Sequence, residues 1–350
     1  MVDRKLNSKP QISVIICCYG GEKTIKACLN SLLNQDLDNS SFEVIIVDDG
    51  SQDNSAEIIN NFIKARLTHD HPNFKYFRKK NEGLSIARNF GLYKSLAELV
   101  VYIDEDAIAN NNYLTTIVEY FKNNINVNCL GGEIDLYNDE NEFASLIQDS
   151  VFSLHMKNKN SIIGTNMAFR KSFLVLVGGF QPEFTYRGDE TALFNKSRGH
   201  IIKGRSKQMR VKHMQPANAK AWLKTRYENG YFSIAIDFLM KKKTKQIFIN
   251  LIKSLLVVII PYLFISSFFF LYYSLVIFIT IIFFCFLIIY RKLFFNNLIK
   301  NTLKEFSINR NGKTEFREII MIIYLIFMGL YKSEIGYLKG YLKFKKINFK

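Results

Sequence analysis

Tryptophan occurs once in 350 residues, and cysteine and proline five times each. The cysteines, at 17, 18, 28, 129 and 285, lack metal-ligand spacing, which argues against a zinc or iron–sulfur framework. They read as reduced core side chains of a cytosolic domain, with Cys17 and Cys18 on opposite faces of one strand. No Gly-x-Gly-x-x-Gly follows the first apolar run, where the chain reads CCYGGEKT, and no Walker loop is present. A dinucleotide site and a P-loop are therefore disfavoured. Nor is there a secretory signal pattern: Met1–Lys9 is polar, and Ile12–Cys18 is too short.

Acids are scarce at one end only. Residues 1–240 carry 29 Lys+Arg against 27 Asp+Glu, whereas residues 241–350 carry 18 against 4. The formal charge of +16 thus belongs almost wholly to the tail. No basic-aromatic recognition module accompanies it, so no nucleic acid is expected as a partner. The same tail holds 37 residues, Ser254 to Tyr290, without a charged side chain. That is too long for one membrane span of about 20 residues and sufficient for two. A transmembrane helical hairpin is expected at about 248–270 and 272–290. Lys241, Lys242, Lys243 and Lys245 precede it and Arg291 and Lys292 follow, which puts both ends on the cytoplasmic side of an inner membrane. A shorter apolar stretch, Ile319–Leu330, precedes further lysines and is expected to form a shallow or re-entrant helix continuing as a basic interfacial one. The expected domains are therefore 1–240, cytoplasmic, and 241–350, membrane-associated.

Within the first 240 residues, strand-length apolar runs alternate with helical patterns. ISVIICC (12–18), FEVIIVD (42–48), FKYFR (74–78) and ELVVYID (98–104) are the strands, with helices near 25–33, 56–63, 84–96 and 111–123 between and after them. This alternation predicts an α/β fold, a mostly parallel Rossmann-like sheet with helices on both faces. A less regular extension follows, with strands near 128–137 and 162–170, a loop entering a helix over 187–199, and an amphipathic helix over 221–239.

Ligands of such sheets bind at the carboxyl ends of the strands. Three polar clusters fall there: Tyr19-Gly20-Gly21, Asp48-Asp49-Gly50-Ser51 and Asp104-Glu105-Asp106. Adjacent like charges at a strand end require something positive nearby. With no cysteine or histidine cluster, paired carboxylates suit a hard cation, Mg²⁺ or Mn²⁺, bridging to substrate phosphates. Residues two apart in extended chain face one way, so Asp104 and Asp106 can cooperate while Glu105 points elsewhere. His213, in VKHMQP, is either a further metal ligand or a structural histidine.

The segments SVIICCYGGEKTIKACLNSLLNQ, FEVIIVDDGSQDNS, NEGLSIARNFGL, VVYIDEDA, GTNMAFRKSFLVLVGGF and RGDETAL occur in this order. Together, over roughly residues 10–230, they resemble glycosyltransferase family 2, inverting enzymes of the GT-A fold that use nucleotide-diphospho-sugars. The tail is similar to that of bacterial members acting on surface-polysaccharide acceptors. The resemblance implies that Asp49 accepts from the donor base, that Tyr19 stacks on it, and that Cys17, Asp48 and Arg88 line the donor site. Asp48 has an alternative role in the turn, and Arg88 an alternative in a helix-surface salt bridge. By the same resemblance Asp104 meets the ribose or sugar and Asp106 the metal. Asn166 and Arg170 fall on the acceptor-side strand, Arg170 more simply as part of a structural ion pair.

Many family members read Gly-Glu-Asp where this chain reads Gly188-Asp189-Glu190. The swap leaves open which acid is the base; motif order puts Glu190 in that place, with Asp189 beside it. The Gln-x-x-Arg-Trp motif of processive synthases is missing, since the single tryptophan, Trp222, lies in NAKAWLKTR. A single-sugar transferase acting on a lipid-linked or saccharide acceptor is therefore expected. Two other classes stay open: a nucleotidyltransferase of related architecture, which CCYGGEKT disfavours, and a non-catalytic scaffold of a polysaccharide assembly complex.

Overall fold

The computed structural model describes residues 9–66, 72–153, 162–240, 244–268, 301–302, 304 and 316–344. They fall into two compact units: residues 1–138 with 158–215, and 139–157 with 216–350. The division comes at Gln215, earlier than the expected boundary at 240.

The first unit is built on one eight-stranded sheet. Its elements are β1 (Ile12–Cys18), α1 (Ile25–Leu33), β2 (Phe42–Asp48), α2 (Ser55–Lys64), β3 (Asn73–Arg78), α3 (Leu84–Lys94), β4 (Leu99–Asp104), β5 (Ala107–Ala109), α4 (Tyr113–Asn123), β6 (Cys129–Leu136), β7 (Asn166–Arg170), α6 (Lys171–Leu176), α7 (Asp189–Lys196) and β8 (Lys203–His213). The short helix α5 (Glu142–Ile147) belongs to the second unit. The strand order is β3-β2-β1-β4-β7-β6-β8-β5. The β3-β2-β1-β4 half is parallel; β7 then runs antiparallel to β4, and β6 antiparallel to β7.

Every residue of β1 and β2 is buried, as continuous apolar runs in a sheet covered on both faces should be. Their side chains alternate between two cores. One holds Ile15, Cys17, Ile45, Val47, Val100 and Tyr102, closed by Phe169 and Phe180 from the extension. Tyr102 packs edge-on against Phe180, with centroids 5.2 Å apart. At the amino end of the strands the buried Glu43 is satisfied from several sides. Its oxygens accept from Ser13 Oγ at 2.6 Å, the Leu96 amide at 2.7 Å and Lys75 Nζ at 2.6 Å.

Two strands, β5 and β8, were not expected. The residues of β8 read KGRSKQMRVKH, a charged run without the apolar alternation that marks a strand. Its arginines are accommodated across the parallel β6–β8 pair, Arg205 on Glu133 at 3.1 Å and Arg210 on Asp135.

The second unit contains α8 (Ala219–Leu239), α9 (Thr244–Phe268) and α10 (Phe316–Phe344). Asn218 caps α8, its side chain accepting from the Ala221 amide at 3.0 Å. Helices α8 and α10 run side by side in the same direction, pressed together at glycines. A Cβ at Gly230 would stand 1.8 Å from the carbonyl oxygen of Ser333, and one at Gly336 2.0 Å from that of Tyr227. Polar ties join the three: from α9, Asn250 donates to Asp237 of α8 and Ser254 meets Glu334 of α10, and Tyr337 of α10 also donates to Asp237. Of the described helices, one stretch, Ile320–Phe344, is long and apolar enough to cross a membrane; Gln246–Ile260 is a shorter apolar one. The stretch expected to continue past Leu330 as a basic interfacial helix is one helix from Phe316 to Phe344. The first expected span is helical as far as Phe268, and the second, 272–290, lies outside the described residues.

Candidate active site

The parallel register sets Cys18 level with Asp48, and Cys17 level with Asp104. The turns after β1, β2 and β4 therefore open at one end of the sheet. Tyr19, 52% exposed, stands at the rim of the first turn. The next residue, Gly20, has φ +83° and donates its amide to Ser51 Oγ at 3.1 Å.

Asp48 is fully buried and occupied by the chain itself. Oδ1 accepts from the Ser51 amide at 2.7 Å, and Oδ2 from the Tyr76 hydroxyl at 2.7 Å. Burial, then the hydrogen bond to Asp48, pushes the Tyr76 phenol up. Asp48 thus occupies the turn-holding position. Asp49 reaches the other way, to the segment after β3. Its oxygens accept from Lys79 Nζ at 2.6 Å, the Glu82 amide at 3.1 Å and the Gly83 amide at 2.8 Å. Gly83 is required there: φ is +99°, and a Cβ would stand 2.6 Å from Thr185 Cα. Cys17 lies within the core cluster under these turns, and burial pushes its thiol up.

The three acids after β4 separate in the turn between β4 and β5, not through a strand pleat: Asp104 ends β4, and Glu105 and Asp106 form the turn. Glu105 turns toward Gly21, where a Cβ would meet its Cγ at 3.0 Å. Burial, then the charges of Asp106 and Asp104, holds Glu105 well above the usual carboxylate range. Asp104 accepts from Thr165 Oγ1 at 2.7 Å and faces Arg88 at 3.3 Å. Asp106 lies 3.1 Å from His213 Nε2. The pairing of β5 with β8, Ala107 opposite His213, delivers that imidazole. One ligand atom from each of Asp104, Asp106 and His213 can be found within 4.8 Å of the others. Burial acts against both charged forms, yet the pair prevails. His213 holds Asp106 below its ordinary value, and Asp106, then Asp104, raises His213. Two carboxylate oxygens and an imidazole nitrogen form a donor set suited to a divalent cation.

The swapped acids open helix α7, after Gly188 in the left-handed region at φ +80°. Their environments differ. Asp189 is buried and clasped by Arg88 Nη1. Glu190 is partly open, and burial, then the neighbouring Asp189, pushes its carboxyl up to about 8. Arg88 is itself buried: Nη2 reaches Asp104 at 3.3 Å and the Gly164 carbonyl at 3.2 Å. Burial works against its charge, but Asp189 and Asp104 raise its pKa nonetheless. Its guanidinium joins the two acid groups, a different placement from an exposed helix-surface bridge.

Asn166 is a structural cross-link, donating to the carbonyls of Glu133 and Met209 and accepting from Tyr113. Arg170 donates to the carbonyls of Val127 and Phe121, where an ion pair was expected. Thr165, which holds Asp104, was not singled out from the sequence, although GTNMAFR contains it. Nor was Arg187, whose charge acts on both Asp106 and His213.

The model of Glycosyl transferase family 2 matches residues 13–179. Glycosyltransferase AglE of Haloferax volcanii is 28% identical over 185 residues, 51% of this chain and 59% of that protein. Poly-beta-1,6-N-acetyl-D-glucosamine synthase of Staphylococcus epidermidis is 32% identical over 177 residues, 48% of this chain and 41% of that protein. The mannosyltransferase PcManGT from Pyrobaculum calidifontis, solved with GDP-Man and Mn²⁺, superposes with a TM-score of 0.52 at 17% identity. That superposition covers 66% of this chain and 65% of that one, and its likeness is one of fold, the GT-A fold. The chain spans 59% and 41% of the length of these two curated relatives.

Proposed function

Because the chain belongs to glycosyltransferase family 2, we propose that it transfers a single sugar, with inversion, from a nucleotide-diphospho-sugar to a lipid-linked or saccharide acceptor. One observation carries the reading. Arg88 touches both Asp104 and Asp189, so the Asp104–Asp106–His213 trio and the acid pair of α7 lie one guanidinium apart. A cation site and a poised carboxyl at the carboxyl end of one sheet suit transfer from a diphosphate donor.

Asp104, Asp106 and His213 would hold Mg²⁺ or Mn²⁺, and the imidazole among the ligands favours Mn²⁺. When bound, the ion neutralises charge on the departing nucleoside diphosphate. Tyr19, exposed at the rim, stacks on the donor base, and Asp49 fixes the 79–83 segment that flanks it. Glu190 takes the proton from the acceptor hydroxyl. A carboxyl held up to about 8 is a stronger base than an ordinary one, and its ionised fraction grows as pH rises toward that value. Asp189, held by Arg88, keeps the start of α7 in place and leaves Glu190 as the base.

The C-terminal residues attach the enzyme to the inner membrane with its catalytic unit in the cytoplasm. The long uncharged run of the tail favours attachment to a bilayer, and its basic residues favour an anionic, lipid-linked acceptor. A panel of nucleotide-sugars, offered to the purified full chain with Mn²⁺ and scored by nucleoside diphosphate release, tests the activity. Release from none of them, with lipid-linked and saccharide acceptors both supplied, would overturn it.

A further inference from the structure

Length and composition alone make Ile320–Phe344 of α10 a membrane span. Its neighbours in the second unit do not allow that placement. Helix α8 lies against α10 with no room for lipid between them. Gly329 faces Arg226 and Trp222, Gly336 faces Tyr227, and Gly340 faces Tyr231, each at a separation a single Cβ would fill or violate. Whatever depth α10 takes, α8 therefore takes with it.

Helix α8 is not a membrane helix. Lys220, Lys224, Arg226 and Glu228 lie along the stretch that faces the apolar half of α10, and the Lys224 side chain is 74% exposed. A second polar segment covers the same half. Leu146 and Ile147 pack with Trp222 on Ile322, Leu325 and Ile326. They bring the exposed Asp139, Glu140 and Glu142 to that end of α10. Crossing the bilayer along α10 would carry these charges into hydrocarbon, where isolated charges are strongly disfavoured.

The other side of α10 has a different character. Ile320, Ile323, Tyr324 and Phe327 are exposed at spacings of three and four, one stripe of the helix. On the flank toward α8, Lys339 and Lys343 are exposed over the Tyr227 and Tyr231 rings, and Lys332 is partly exposed. Helix α9, tied to α10 through Ser254 and Glu334, exposes a matching stripe of Phe248, Ile252, Leu255 and Ile259. An apolar stripe with basic residues beside it fits the boundary between acyl chains and anionic headgroups.

We infer that α10 does not cross the membrane but lies in the plane of one anionic leaflet, apolar stripe inward and α8 on its aqueous side. The inference rests on the membrane attachment proposed above. The test uses the full chain on a Cys285→Ser background, with a spin label at an introduced cysteine in place of Ile323, Phe327, Lys339 or Lys224. The protein is reconstituted in vesicles of phosphatidylglycerol and phosphatidylcholine, and oxygen and nickel-complex accessibilities give each label's depth. Labels at 323 and 327 should sit about 5–10 Å below the phosphates, with 339 near the headgroups and 224 in water. A depth changing steadily from 323 to 339 by about 1.5 Å per residue, through the bilayer centre, would overturn this inference alone. Labels at 323 and 327 shielded from both reagents would overturn it in favour of a second copy on the stripe. A chain that does not bind the vesicles overturns the attachment as well.

Discussion

The two ends of the same sheet bury carboxylates in opposite ways. At the amino end Glu43 is surrounded by donors, with Ser13, Lys75 and the Leu96 amide meeting its oxygens. At the carboxyl end Asp48 and Asp49 are likewise met by donors, but the acids after β4 and at the start of α7 have acids for neighbours: Glu105 beside Asp104 and Asp106, and Glu190 beside Asp189. The first arrangement stabilises the fold and leaves no capacity for a ligand. The second is held in place by Arg88 and His213 and leaves Glu105 and Glu190 with raised proton affinity. A satisfied charge is structural, and a compressed group of like charges is where chemistry can be done.

The comparison is broken most sharply at Glu190. Glu190→Gln should lower turnover by roughly 10²-fold or more, as for loss of a general base, with donor affinity almost unchanged. Steady-state kinetics of sugar transfer decide it; near-normal turnover would move the base elsewhere. Asp106→Ala should abolish Mn²⁺-dependent nucleotide binding in calorimetry with UDP or GDP while the melting temperature holds, because a ligand is lost and no core is disturbed.

Glu43→Gln should do the reverse. Denaturant titration should show a loss of about 1–3 kcal/mol, the range for removing a buried charge-assisted partner, with nucleotide affinity intact. If nucleotide affinity fell along with stability, the two ends would not be separable.

A pH series sharpens the same contrast. The folded chain keeps a proton on Glu190 up to about 8, which an unfolded chain releases near the ordinary value of 4.5. Its contribution to stability is therefore lost as pH rises through that window, and Glu190→Gln should flatten that part of the curve. Tyr19→Ala, the mildest, should weaken nucleotide binding by no more than about tenfold, the scale of one stacking contact.

Strands β1 and β2 were legible because strands covered on both faces are mostly apolar, Ser13, Glu43 and Asp48 apart; they fall at 12–18 and 42–48, where they were expected. Strand β8 was not, because its alternation is written in lysine and arginine whose partners, Glu133 and Asp135, lie on β6. The acid clusters were visible as types at strand ends, but their division of labour was not. Whether Asp189 or Glu190 stays open depends on Arg88, 101 residues away, and no local pattern reports that. The boundary at Gln215 was hidden for a similar reason. Helix α8 reads as the end of a soluble domain until glycines 329, 336 and 340 of α10 are seen to receive it.

Strand β8 also fixes when, in the life of each molecule, the carboxyl end can become competent. Synthesis proceeds from the amino terminus, and domains assemble as their segments emerge. Parallel strands β1 to β4 can associate early, but the imidazole beside Asp106 is on the last residue of β8, the final strand added to the sheet. A chain stalled or cleaved before that residue can hold a folded sheet and still lack the third member of its trio. The order of emergence thus leaves the proposed cation site incomplete until the last described strand is made.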